Sequence, residues 1–473
     1  MPEVDCDLLV IGSGFGGAVC ACRAAQAGLR VIVLERGAHL TPAMLDDMAE
    51  GRTPLFRFGS GSGPLEVQRR RGLLCITGNA VGGGSQVYTA VTVPAPPEVF
   101  GGDWPEGLRD GRLQPAYDRV REVIRPSVTP VALPRTVALE AAGARLSAPV
   151  RRLPVAVDWP GDGRLMQAEP AYAGARRELV QWLQGGHATR KRPLDRTYLH
   201  DAVRHGAEIR PLHEVELIEP QGSLYRVTFR SLTSGSGCGL GALRARRVVL
   251  AAGTLGTVRL LLSCRDRAGT LPRISDRLGQ RFFTNGDFGA LIMRPQLAVD
   301  AGPPATAWID LWKTDRLFVM DTGLVPLGAV LGWPRSMGPA WSLAVMGYDD
   351  NPGRLRLSDG GALVHEHQPS RGAPFHERRL QRLREVAAAL EGRLLAPPSW
   401  LALRLPVTFH PLGGAALAQT PSQGVTDPYG EVFGHPGLYV ADGSLMPTPL
   451  GAAPSMTIAA LAEVVVEHLL RTW

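Results

Sequence analysis

The sequence predicts an α/β fold of Rossmann-like type, built around a βαβ unit. Three observations carry this reading. An apolar run, Asp7 to Ile11, leads directly into Gly12-Ser13-Gly14-Phe15-Gly16-Gly17 and then a helical pattern from Ala18 to Ala27. Two further strand-like runs, ending at Leu250 and Val440, each break into a turn of small residues. Glycine and proline number 56 and 39 of 473 residues, with no repeat period and no tract that concentrates them. That composition excludes collagen, coiled coil and disorder, and leaves a globular fold with many glycine-built turns.

Each part of the first forty residues has a physical task. Gly12 allows the tight turn after the strand, Gly14 lets backbone approach a pyrophosphate, and Gly17 permits close packing of helix on strand. Gly16 and Phe15 complete the turn, and the helix start directs its amide groups at phosphate. Gly28 ends the helix, and Arg30 to Leu34 reads as a second strand closing on Glu35 and Arg36. Glu35 stands 23 residues after Gly12, where a carboxylate can accept both ribose hydroxyls and disfavours a 2′-phosphate. The ligand is therefore FAD or NAD rather than NADP.

The remainder of the chain narrows that choice. An NAD-type sheet is usually completed promptly, whereas this chain leaves at about Thr41 for a loop-rich stretch with a second glycine cluster, Gly82-Gly83-Gly84-Ser85. A strand at Arg246–Leu250 runs into Ala251-Ala252-Gly253, with a helix expected from about Val258 to Ser263. Another strand at Leu438–Val440 ends at Asp442-Gly443, and the last helix is expected from Thr457 to Arg471.

Composition excludes several classes. The formal charge is +7, but the basic residues are 49 arginines and two lysines scattered along the chain, without the clustered charge and aromatics of a nucleic-acid surface. The six cysteines show no metal-ligand spacing and sit mostly in apolar surroundings, as buried free thiols do. His365, His367 and His376, with Glu366 and Glu377, form no helical i, i+4 ligand pair with a third ligand, so a solvated loop rather than a metal site is expected. No apolar run is long enough to span a membrane, and no cleavable leader is apparent. A cytoplasmic protein is the expectation.

Four blocks, residues 7–37, 72–94, 246–287 and 409–468, resemble the glucose–methanol–choline (GMC) oxidoreductases, nearest to the bacterial cholesterol-oxidase branch. Phe409-His410-Pro411-Leu412-Gly413-Gly414 and Asp442-Gly443-Ser444-Leu445-Met446-Pro447 carry the likeness most closely. The resemblance implies a discontinuous FAD domain from residues 1–100, 205–290 and 410–473. It implies a substrate domain from 101–204 and 291–409 whose antiparallel sheet lies over the flavin. It further implies that Val215 presents its backbone to the adenine, that Gly82 to Ser85 pass the isoalloxazine, and that Asp442 lies near the ribityl or pyrophosphate. The segment Pro454-Ser455-Met456 would open the last helix toward the flavin's pyrimidine end. Nothing places a histidine or cysteine for covalent attachment, so non-covalent FAD is expected.

Oxidising an alcohol on flavin needs a base for the hydroxyl proton and a carbinol carbon facing the flavin. His410 is the candidate base, because an imidazole titrates near working pH and this one stands in the family motif. The sequence departs from the family beside it. Ala453, in Gly451-Ala452-Ala453-Pro454, stands where the resemblance expects an asparagine. The strand position expected to carry a glutamate falls on Met320 or, with a one-residue insertion, on Asp321, and these neighbours face opposite ways. Asp321 is kept here as a second catalytic candidate. The leading expectation is an FAD-dependent oxidoreductase acting on a bulky apolar alcohol, with oxygen the simplest electron acceptor. Trp308, Trp312, Phe318, Leu324, Trp333 and Trp341 are the aromatic and aliphatic candidates for lining its pocket. The alternative is a non-redox flavoprotein: a cyclase, isomerase or rearrangement enzyme of natural-product biosynthesis that keeps FAD as a pocket wall. A binding protein without turnover is a third class.

Overall fold

The computed structural model describes residues 4–59, 61–70, 73–160, 165, 175–186, 188–233, 239–293, 302–325, 340–366, 369–395 and 407–473. The strand Cys6–Ile11 is buried over nearly its whole length, as a central parallel strand covered on both faces must be. It pairs in parallel with Val31–Leu34 on one side and with Gly239–Leu250 on the other. The sheet runs His213–Gln221, Leu224–Ser231, Gly239–Leu250, Cys6–Ile11, Val31–Leu34, Glu208–Arg210. Leu438–Val440 joins in parallel beside Val248–Leu250, beyond the point where the antiparallel partner Leu224–Ser231 stops.

Two helices expected from the sequence begin earlier than the pattern indicates, at Gly253 and Ser455. Gly253 and Gly256 have low helix propensity and conceal the first turn of the former. The closing helix, Ser455–Arg471, packs on Phe15–Gln26, and Glu463 ties the two through Arg23 at 2.8 Å.

A second sheet is antiparallel throughout, in the order Arg393–Leu395, Phe288–Met293, Ala340–Gly347, Leu317–Val325, Ala307–Leu311, Val150–Arg152. One face buries Ile292, Ile309, Val319, Trp341 and Val345 with the helices Pro134–Arg145 and Pro369–Ala389. The opposite face carries Gly289, Met320, Thr322, Ser342 and Ala344, which border the main cavity. Alternation along each strand sets this division.

The cores do not divide where the sequence placed the domain boundaries. Trp104, Tyr117, Val120, Tyr198 and Leu199 share one hydrophobic cluster with Leu8, Val19 and Val249. The Tyr117 hydroxyl lies 2.9 Å from the hydroxyl of Thr457, and the Trp104 indole donates to Thr448 at 2.9 Å. Boundaries at 100/101 and 204/205 thus run through packed apolar side chains. Among the described residues no helix is long and apolar enough to cross a membrane.

Close backbone approach fixes the centre of the parallel sheet. A Cβ added at Gly16 would stand 1.3 Å from the carbonyl oxygen of Ala441, and one at Gly12, where φ is +97°, 2.3 Å from that of Ala251. The Gly17 position would meet the Gly12 carbonyl at 2.0 Å. Helix and three strand ends can converge only because these side chains are absent. Gly16→Ala is therefore expected to lower the melting temperature substantially, whereas Gly107→Ala, where an added Cβ meets nothing within 4 Å, leaves it nearly unchanged.

Candidate active site

The strand ends open into a cavity of about 590 Å³. Its cofactor-like end is made largely of backbone. Gly14, Gly84 and Gly253 border it, and an added Cβ at each would meet nothing within 4 Å, so these peptides lie bare to the space. Gly12, Phe15, Gly16, Gly83, Val215, Ala252, Gly443, Pro454 and Ser455 border it as well. Gly17, Gly82, Ser85 and Met456 do not. Gly17 packs helix on strand, and Met456 is fully buried. Gly82, at φ +93°, donates its N–H to the Ser13 hydroxyl at 3.0 Å, and the Ser85 hydroxyl donates back to the Gly82 carbonyl at 2.7 Å. These residues build the turn that Gly83 and Gly84 present.

Two carboxylates border the same end. Glu35 accepts from the Ser13 N–H at 2.9 Å and hydroxyl at 2.7 Å on one oxygen, and from the Gly37 N–H at 2.7 Å on the other. Its position is thereby held, with lone pairs remaining for a ribose. Arg36 is engaged by Asn79, at 2.8 Å, and by Glu66. Asp442 accepts from the Thr257 hydroxyl at 2.5 Å and from the Ser444 N–H at 2.9 Å. Burial pushes its carboxyl above the usual range, against the opposing pull of those hydrogen bonds.

His410 borders the other part of the cavity, a quarter of its side chain exposed. Its Nδ1 lies 2.9 Å from Oδ1 of Asp287, which is buried. The other oxygen of Asp287 accepts from the Thr408 hydroxyl at 2.9 Å and from the N–H groups of Phe409 and His410 at 2.8 and 2.9 Å. Sequence reasoning missed Asp287. Its only local signal is a polar Asn285-Gly286-Asp287 interruption between the apolar runs Phe282–Phe283 and Phe288–Met293. Asn285, also missed, is fully buried: its carbonyl oxygen accepts from the N–H groups of Leu450 and Gly451, and its amide donates to the carbonyl of Ala452. That side chain fixes the loop presenting Ala453 to the cavity.

Asp321 requires a correction. Met320 and Thr322 face the cavity, so the intervening Asp321 faces the helices. There it is fully buried and accepts from Arg135 at 2.6 Å, Thr306 at 2.8 Å, the Trp341 indole at 2.7 Å and the Gly323 N–H at 2.9 Å. A carboxylate so enclosed neither reaches the cavity nor serves as a proton acceptor in it. The expected aromatic lining is corrected as well. Trp308, Phe318 and Trp312 stack on one another at centroid distances of 4.1 and 5.4 Å inside the core, and Trp341 lies on the opposite face of the sheet. Trp333 and the side chain of Leu324 lie outside the described residues. The apolar wall comes instead from Leu179, Trp182 and Leu183 of the helix Ala175–Gln184, with Phe56, Ile76 and Phe409. His365 and His376 are buried rather than on a solvated loop, and His367 is outside the described residues. Among the described residues no group of three or more His, Cys, Asp or Glu could hold a metal ion.

A parallel sheet with a glycine turn and a carboxylate held at the cavity edge, roofed by a second sheet, is the architecture of a dinucleotide-binding oxidoreductase. Comparison with known proteins agrees. Residues 400–462 match the GMC oxidoreductase family and residues 10–61 the NAD(P)-binding Rossmann-like domain. Cholesterol oxidase of Mycobacterium tuberculosis is 30% identical, the match covering 97% of this chain and 90% of that protein. Cholesterol oxidase of Acinetobacter baumannii is 27% identical over 98% of this chain and 94% of its own. The solved structure of pyridoxine 4-oxidase from Mesorbium loti shares the fold, with a TM-score of 0.69 at 17% identity over 99% of both chains. The chain belongs to the GMC oxidoreductase family.

Membership implies a flavin, and the residues fit one: bare glycine peptides for a diphosphate, and Glu35 held in place for a ribose. Gly14→Ala is therefore expected to leave the protein folded but to lower its flavin content after purification, measured by absorbance against protein. Asp321→Ala, which removes the carboxylate from the buried ion pair with Arg135, should cost about 3–5 kcal/mol in denaturant unfolding.

Proposed function

We propose that this protein is an FAD-dependent oxidoreductase that oxidises a bulky apolar alcohol, with FAD held non-covalently and His410 as the base. The observation that carries the proposal is the imidazole of His410 at the cavity wall, anchored through Nδ1 so that its other nitrogen is available. Bound FAD would supply the acceptor for a hydride from the carbinol carbon. His410 would take the hydroxyl proton on Nε2 as the carbonyl forms, giving a ketone or aldehyde. Leu179, Trp182, Phe56 and Met320 would exclude water and pack the substrate's apolar body. Gly289, Ala344 and Ser342 keep the sheet face low beneath it, which supports a large ligand. The cholesterol oxidases point by name toward a sterol, and a long-chain-alcohol oxidase of Arabidopsis thaliana, 24% identical over 97% of this chain and 66% of its own, toward a long-chain alcohol. Non-covalent attachment is supported by the five described cysteines, which are buried and do not border the cavity. Oxygen is the simplest acceptor to regenerate the cofactor.

A second reading draws on Ala453, which borders the same cavity as His410 with a side chain that neither donates nor accepts. Loss of one oriented hydrogen bond to developing charge costs about 2.7–4 kcal/mol. A weakened alcohol centre could leave FAD as the wall of a cyclase or isomerase pocket. Anaerobic mixing with cholesterol and, separately, 1-dodecanol tests the proposal: one of them should bleach the oxidised flavin band. His410→Ala should slow that bleaching by about 10²–10⁴-fold. Conversion with the flavin oxidised throughout would favour the second reading.

A further inference from the structure

We infer that Asp287 is the positioning residue of the base: it holds His410 as the tautomer protonated on Nδ1, leaving the Nε2 lone pair for the alcohol proton. This rests on the reading of His410 as the base. It adds a requirement that reading does not contain, namely which nitrogen is free and what keeps it so.

Donors and acceptors around the imidazole set its tautomer. An ionised carboxylate only accepts, so the 2.9 Å contact between Asp287 Oδ1 and His410 Nδ1 requires the proton on Nδ1. Neutral imidazole then has its lone pair on Nε2. Three donors converge on the second oxygen of Asp287 and fix its plane: the Thr408 hydroxyl, the Phe409 N–H and the His410 N–H. Two of those donors are the backbone of the base itself and of its neighbour. The carboxylate therefore grips both the imidazole and the main chain that carries it. Ring rotation would break the Nδ1 contact while the main-chain contacts held Asp287 still.

The carboxylate is anchored from behind. Arg379, buried on the helix Pro369–Ala389, directs Nη1 at the carbonyl oxygens of Gly286 and Asp287, at 3.1 and 3.2 Å. Its guanidinium covers the Phe288 ring at 4.2 Å. The Asp287 peptide is thus clamped from the far side of the second sheet. In turnover the alcohol proton would pass to Nε2 of His410 as the C=O bond forms, with bound FAD supplying the acceptor for the hydride. Asp287 keeps its contact with Nδ1–H throughout and compensates the charge of the imidazolium.

Asp287→Asn tests this. The amide oxygen can still accept from the two N–H groups, but its NH₂ would face Nδ1 and donate to it. That forces the proton onto Nε2 and removes the base. Flavin reduction by the active alcohol should fall by about 10²–10⁴-fold, with flavin content and substrate KM nearly unchanged. The variant's rate should climb steadily with pH as free alkoxide replaces the lost base, whereas the wild-type rate levels off. ¹⁵N NMR of histidine-labelled holoprotein, with His410 assigned by its loss in His410→Gln, reads the tautomer without substrate. The wild type should show N–H at Nδ1 and Asp287→Asn should show it at Nε2. A wild-type proton on Nε2 would overturn the inference, as would an active Asp287→Asn with an unchanged pH profile. If Asp287→Asn does not fold, the wild-type spectrum decides alone. An unimpaired His410→Ala would instead remove the base reading and leave the tautomer assignment standing.

Discussion

Everything else in the molecule depends on the contact between the first glycine turn and the ends of two other parallel strands. Gly16 lies against the carbonyl of Ala441, and Gly12 against that of Ala251. The Gly12 carbonyl in turn receives Gly17. No side chain fits at these positions, so three strand ends and one helix start meet at a single point. That convergence gathers Gly14 and Glu35, Gly253, and Asp442 from three separate stretches of sequence around one cavity. The same convergence sets the loop after Val440 beside the segment that carries His410, since Ala415 and Leu417 donate their N–H groups to Ser444 and Leu445.

The reaction end is organised differently. Side chains rather than backbone do the positioning there, and each acts on a loop. Asn285 holds residues 450–452, Asp287 holds 408–410, and Arg379 holds the peptide between them. Asn285, Gly286 and Asp287 immediately precede the strand Phe288–Met293, so the second sheet is linked directly to the loops facing the cofactor end. Asp287, the residue directly before that strand, carries the contact to His410.

How much of this was legible in the sequence follows from the range of the interactions. The first βαβ unit could be read because its pattern is local: strand, glycine turn, helix, strand and acid lie within thirty residues. The strands before Ala251 and Ala441 were legible for the same reason. Asp321 was misplaced because choosing between adjacent strand residues needs the sheet's register and the identity of the face, and Arg135 stands 186 residues away. The pairing of Asp287 with His410 spans 123 residues and leaves no periodic trace. The aromatic set was misassigned because a stacked core triplet and a pocket wall have the same composition. The contacts of Trp104 and Tyr117 with Thr448 and Thr457, at the far end of the chain, likewise leave no local pattern.

The central claim is that the cavity joins a flavin to a histidine that accepts an alcohol's proton, and that the chemistry is therefore oxidation. One anaerobic turnover, with product mass and flavin spectrum recorded on the same sample, addresses it most directly. The account predicts a product lighter by two hydrogens, formed in step with bleached flavin. A product of unchanged mass, with the flavin still oxidised, would contradict it.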